Sequence, residues 1–129
     1  MSTTDQSAAT FQGITRAVSG QLRTLRSDLP APLAGFNDLA AAAMADGALS
    51  EKVKELIALA LGVAGHCDAC IGFHAKALVR LGASKLEVEE TLAVAVYMGG
   101  GPSLMYSANA LAAVGEFSRP TDTALPTST

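Results

Sequence analysis

Tryptophan is absent from this chain of 129 residues, and only two tyrosines and four phenylalanines are present. Charge is also sparse: 16% of residues are charged, and 9 basic against 12 acidic side chains leave a formal net charge of −3. That balance excludes a nucleic-acid footprint and a polybasic membrane patch. No apolar run reaches the roughly 18 residues of a membrane span. The nearest, Leu56 to Gly65, suits a buried helix. Met1 to Ala9 have neither a basic nor an apolar signal region, so the chain reads as soluble and cytoplasmic. Two cysteines are too few for a disulfide framework. In a reducing compartment a close pair points instead to catalysis or metal binding.

Half of the residues are hydrophobic, which excludes disorder along the whole length, and 25 are alanine. Alanine is the best helix former, and strand-favouring residues are few, so the expected fold is all-α, with about six helices in one domain. The first, about Ala8 to Arg26, carries Phe11, Ile14, Val18, Leu22 and Leu25 at helical spacing, interrupted by Gly13 and Gly20. The second runs from about Pro32 to Ala45, with Leu33, Phe36, Leu39, Ala43 and Met44 on one stripe. Ser50 caps a third, Glu51 to Ala64, which Gly65 and His66 break. A fourth starts at Cys67 or Asp68 and runs to Leu81, with Gly82 after it. Ser84 and Glu87 form a capping box for a fifth, to about Met98. Pro102 suits position N1 of a sixth, ending near Phe117. Residues 1–9 and 118–129 read as disordered ends around a helical domain of residues 10–117. Gly99 to Gly101 lack the strand and trailing Lys-Ser/Thr of a phosphate loop and read as a helix connection. Tyr97, Met98 and Tyr106 read as core or subunit contacts. Helices such as Leu86 to Met98 are apolar over more than one face, which predicts a homo-oligomer.

The chemistry lies in Cys67-Asp68-Ala69-Cys70 followed by His74. On a helix Cys70 and His74 stand one above the other, with Cys67 one turn earlier. A free thiol has a pKa near 8.5, and a helix N-terminus and an imidazole both lower it. Such a thiolate attacks a peroxide oxygen and becomes a sulfenic acid, which a second thiol converts to a disulfide. The cycle then needs an external dithiol reductant. His74 can take the thiol proton and pass it to the leaving alkoxide. Glu55, in the third helix, reads from the sequence alone as solvent-exposed.

The stretch from Glu55 to Ala60, with Cys67-Asp68-Ala69-Cys70 and His74, resembles the carboxymuconolactone decarboxylase superfamily in its alkylhydroperoxidase AhpD-like branch. The similarity covers about Leu33 to Phe117. It implies an all-helical antioxidant fold in dimers, trimers or hexamers, acting on organic hydroperoxides without a bound cofactor or metal. It implies Cys70 as the peroxidatic thiol, Cys67 as the resolving thiol, and Glu55 and His74 as the proton relay. The best-studied branch carries a further histidine where this chain has Ala69; His66 lies just before the pair. The decarboxylase branch lacks the cysteines, so lactone decarboxylation is disfavoured. Rival readings are a general thiol–disulfide oxidoreductase, a zinc site of Cys67, Cys70, His74 and either His66 or Glu55, and a non-catalytic helical assembly.

Overall fold

The structure, a computed structural model, describes residues 10–119. The described residues form six α-helices and no strand: α1 (Phe11–Asp28), α2 (Pro30–Met44), α3 (Glu51–Ala64), α4 (Asp68–Arg80), α5 (Lys85–Gly99) and α6 (Gly101–Ser118). The disordered end expected over residues 1–9 lies outside the described residues. So does the expected tail, apart from Ser118, which closes α6, and Arg119, its C-cap.

The helix starts follow from capping side chains. Thr10 accepts from the Gly13 N–H at 2.9 Å. The Glu116 carboxylate, from the far end of the chain, accepts from the N–H groups of Phe11 and Gln12, each at 3.1 Å. Three donors left open by helix geometry are thus satisfied, and α6 is tied to α1. Ser50 caps α3 by accepting from Val53. Ser84 and Glu87 cap α5 reciprocally, at 3.0 and 2.8 Å. Helix α2 begins at Pro30, earlier than the expected Pro32, because a proline at the first position fits helical φ and loses no helical hydrogen bond. Helix α5 extends to Gly99, and the positive φ of Gly100 (73°) turns the chain into α6.

Helix α4 sits at the centre, packed against α1, α3 and α6. Its inner face carries Ile71, Gly72, Ala75 and Leu78. Leu59 and Val63 of α3, Val88 and Leu92 of α5, and Ala110 and Ala113 of α6 complete the core with Phe11. Small residues set the spacing: a Cβ on Gly72 would lie 2.6 Å from Thr15 Cγ2 of α1.

The outer helices depart from the expected burial. No residue of α2 is buried, and Phe36 and Leu39 of its apolar stripe are exposed. Tyr97 and Met98 are 83% and 75% exposed, so neither belongs to the core of this chain. The physical reason is placement: α5 offers Val88, Leu92 and Ala95 to the core, and the rest of its apolar surface faces outward.

Candidate active site

The spacing of Glu55, Leu59, Gly62 and Val63 puts all four on the buried face of α3. Glu55 is therefore 7% exposed, contrary to the solvent-exposed reading of its sequence context. Its Oε1 lies 2.6 Å from Nδ1 of His74 on α4. An ionised carboxylate only accepts hydrogen bonds, so in this pair Nδ1–H donates and a neutral ring keeps its Nε2 lone pair free. The pair joins residues 19 positions apart across the α3–α4 contact.

One turn before His74, Cys70 is joined to Cys67 by a disulfide, with Cα atoms 5.2 Å apart. Cys67 is the N-cap of α4, so the helix starts at Asp68. The Cys70 N–H donates to Cys67 Sγ at 3.1 Å. Helix α3 approaches Cys70 closely because residue 62 lacks a side chain: a Cβ there would meet Cys70 Cβ at 3.3 Å.

The connection from α3 to α4 is a Schellman turn. His66 N–H donates to Val63 O at 3.1 Å, and Cys67 N–H to Gly62 O at 3.0 Å. The left-handed position of such a turn ordinarily holds glycine, and Gly82 fills it at the end of α4 (φ 76°). At the end of α3 it is His66, with φ 56°, the positive-φ non-glycine residue of the described chain. The His66 ring stacks on Tyr106 of α6, with centroids 4.7 Å apart and planes at 8°. Asp68 accepts a long hydrogen bond from Asn109 Nδ2, 3.5 Å.

The structure thus gathers the four residues singled out by sequence, Glu55, Cys67, Cys70 and His74, at the junction of α3 and α4. It engages His66 with Tyr106. Sequence reasoning missed Gly62 against Cys70, Tyr106 against His66 and Asn109 against Asp68. A glycine inside an otherwise regular helix was a signal for Gly62; nothing local marks residues some forty positions away. Among the described residues no group of three His, Cys, Asp or Glu side chains is arranged to hold a metal ion, so the zinc reading gains no geometric support. No helix among them is long and apolar enough to cross a membrane.

Comparison with known proteins places this chain in a wider group. An uncharacterised protein of Cupriavidus necator is 41% identical over 95 residues, 74% of this chain and 84% of its own length. An uncharacterised protein encoded in the cox locus of Paracoccus denitrificans is 36% identical over 81 residues, 63% of this chain and 73% of its own. A crystal structure of a carboxymuconolactone decarboxylase family protein from Legionella pneumophila, in its apo form, superposes with a TM-score of 0.84 at 55% identity, over 84% of this chain and 97% of that one. A second, from Thermotoga maritima, has a TM-score of 0.71 at 28% identity, over 79% and 87% of the two chains; an involvement in antioxidative response has been suggested for it. Residues 30–113 match the carboxymuconolactone decarboxylase family as a whole, and the chain belongs to that family.

Proposed function

We propose that this protein is an antioxidant thiol peroxidase of the AhpD-like type, reducing organic hydroperoxides through Cys70 and Cys67. The observation that carries the reading is the Cys67–Cys70 disulfide one helical turn from a histidine held by a buried glutamate. In the reduced protein, His74 takes the Cys70 proton while Glu55 holds the ring and balances the imidazolium charge. The Cys70 thiolate attacks the outer peroxide oxygen, the O–O bond breaks, and the alkoxide leaves with the proton from His74 as an alcohol. Cys67 then displaces hydroxide from the Cys70 sulfenic acid, releasing water and closing the disulfide. An external dithiol supplies the two electrons that reopen it. No resident cofactor or metal enters these steps. The suggested antioxidative role of the Thermotoga relative agrees with this chemistry.

The test is to titrate thiols in the reduced protein before and after one equivalent of cumene hydroperoxide, and to map the bridge by mass spectrometry. Loss of both thiols with a Cys67–Cys70 bridge and release of the alcohol is expected. Thiols that survive the peroxide, yet close readily on a protein or low-molecular-weight disulfide, would favour the second reading, a general thiol–disulfide oxidoreductase. The same disulfide supports that reading, because exchange requires no peroxide. We further propose a cytoplasmic location and a homo-oligomer, a trimer or hexamer; the exposed apolar helix faces support association of copies.

A further inference from the structure

Two helices of this protein end in the same Schellman geometry, and only one uses glycine. At the end of α4, Gly82 takes the left-handed position, with Gly82 N–H on Val79 O and Ala83 N–H on Leu78 O. At the end of α3 the equivalent bonds run from His66 to Val63 and from Cys67 to Gly62. There the left-handed residue has a Cβ and a ring, a conformation disfavoured for L-residues. The cost is borne next to the redox pair, and the ring is held flat against Tyr106. The residue that follows, Cys67, closes this turn and caps the next helix at once: its backbone N–H completes the Schellman turn, and its sulfur receives the Cys70 N–H at 3.1 Å.

We propose that the His66–Tyr106 stack is a positioning latch that keeps Cys67 at the head of α4, so that the disulfide opens in one direction: the incoming dithiol attacks Cys70, and Cys67 departs. This rests on the redox-active disulfide of the proposed function. In the step, a reductant thiolate bonds to Cys70 Sγ, the Cys67–Cys70 bond breaks, and its electron pair goes to Cys67 Sγ. The departing thiolate is received by the Cys70 N–H and the positive end of α4. The second thiol of the reductant gives its proton to the Cys67 thiolate and bonds to the first reductant sulfur; the bond to Cys70 breaks, its electron pair goes to Cys70 Sγ, and the reductant leaves as a closed disulfide. The leaving sulfur in such exchange is the one whose thiolate is better stabilised. Among the described residues the backbone N–H of this turn goes to Cys67 and none goes to Cys70, which has the Glu55–His74 pair one turn further along α4 instead. The carboxylate of Asp68, the residue after Cys67, is bonded to Asn109, and the Tyr106 phenol lies on the ring stacked with His66. His66 and Tyr106 act through Cys67 and are positioning residues.

Two measurements test this without any peroxide, so their failure is distinct from failure of peroxide turnover. In the first, oxidised wild-type protein is mixed with glutathione, quenched with excess N-ethylmaleimide and mapped by fragmentation. Glutathione on Cys70 with maleimide on Cys67 is expected; glutathione on Cys67 overturns the direction. In the second, Cys67 alkylation by iodoacetamide at neutral pH is timed in a Cys70→Ser background. Adding His66→Gly keeps the left-handed turn accessible and removes only the ring. It should leave the fold as stable or more so, yet slow alkylation about tenfold, the loss expected when a stabilised thiolate returns to an ordinary thiol. Tyr106→Leu should do the same, whereas Tyr106→Phe, which retains the stacking ring, should restore the original rate. A folded His66→Gly protein alkylated at the unaltered rate overturns the latch.

Discussion

At the residue scale, the molecule separates the group that reacts from the groups that prepare it. Cys70 reacts in the proposed cycle, His74 moves its proton, and Glu55 fixes the imidazole from a buried position on another helix. Cys70→Ser should abolish hydroperoxide turnover, and Cys67→Ser should stop the cycle at a sulfenic acid, detectable with a dimedone probe. Turnover by Cys70→Ser at the unaltered rate would end the assignment. His74→Ala removes the proton acceptor, and the rate of thiol oxidation should fall by about a hundredfold or more. Glu55→Gln keeps the shape and loses the charge. It should give a smaller loss and a displaced pH–rate profile; a profile unchanged in both variants would remove the pair from the relay. The residue scale is also where the sequence was least informative about placement. The CxxC pair and the His74 spacing could be read directly, because helix geometry alone brings i and i+4 together. The burial of Glu55 could not, because it depends on which face of α3 meets α4. The stacking of His66 on Tyr106 depends on α6 arriving alongside the turn, which no local pattern encodes.

At the element scale, close approaches and caps decide where the helices stop and how near they lie. A methyl group on Gly72 would meet Thr15 Cγ2 at 2.6 Å, on a face where α1 crosses α4. Gly72→Ala should therefore destabilise the fold by about 1–3 kcal/mol, despite the better helix propensity of alanine, as read from a denaturant midpoint. An unchanged or raised midpoint would show that α1 can give way at no cost. The start of α5 adds a pH effect. The Lys52 ammonium, 2.8 Å from Glu87, and the Ser84 backbone N–H hold the Glu87 carboxyl below the ordinary glutamate value of 4.5. A carboxyl more acidic in the folded than in the unfolded chain stabilises above that ordinary value, and the contribution disappears as pH falls through the folded one. Lys52→Met should thus lower the melting temperature slightly near neutral pH, and the gap from wild type should close on acidification below 4.5. The pair is only half-buried, and solvent reaching it keeps the effect small and sensitive to salt. These caps were legible beforehand because Ser50, Ser84, Glu87 and Gly82 each satisfy backbone groups within a few residues. The bare surface of α2 was not, since its stripe of Phe36 and Leu39 has the period of a packed helix and lacks a partner among the described residues.

At the scale of the whole molecule, α3 has two faces with different uses. Glu55, Leu59 and Gly62 look inward to α4, while Ile57 and Leu61 look outward, 45% and 67% exposed. With Val53, Leu56, Ala60, Thr91 and Val94 they line an apolar groove between α3 and α5. Phe36, Leu39, Tyr97 and Met105 extend the exposed apolar surface elsewhere on the chain. Apolar exposure on this scale is unfavourable for an isolated chain in water and is relieved when copies associate. Leu61→Glu places a charge on the outward face without touching the inward one. If the groove is a subunit contact, sedimentation should show the variant as monomers at concentrations where the wild type is assembled. Thiol titration with one equivalent of hydroperoxide should then report whether the Cys67–Cys70 chemistry survives in the monomer. A wild-type protein that sediments as a monomer at every concentration would remove the oligomer altogether. Survival of the chemistry in dissociated Leu61→Glu is the outcome expected from the structure, because Glu55, Cys67, Cys70 and His74 are brought together by α3 and α4 of a single chain.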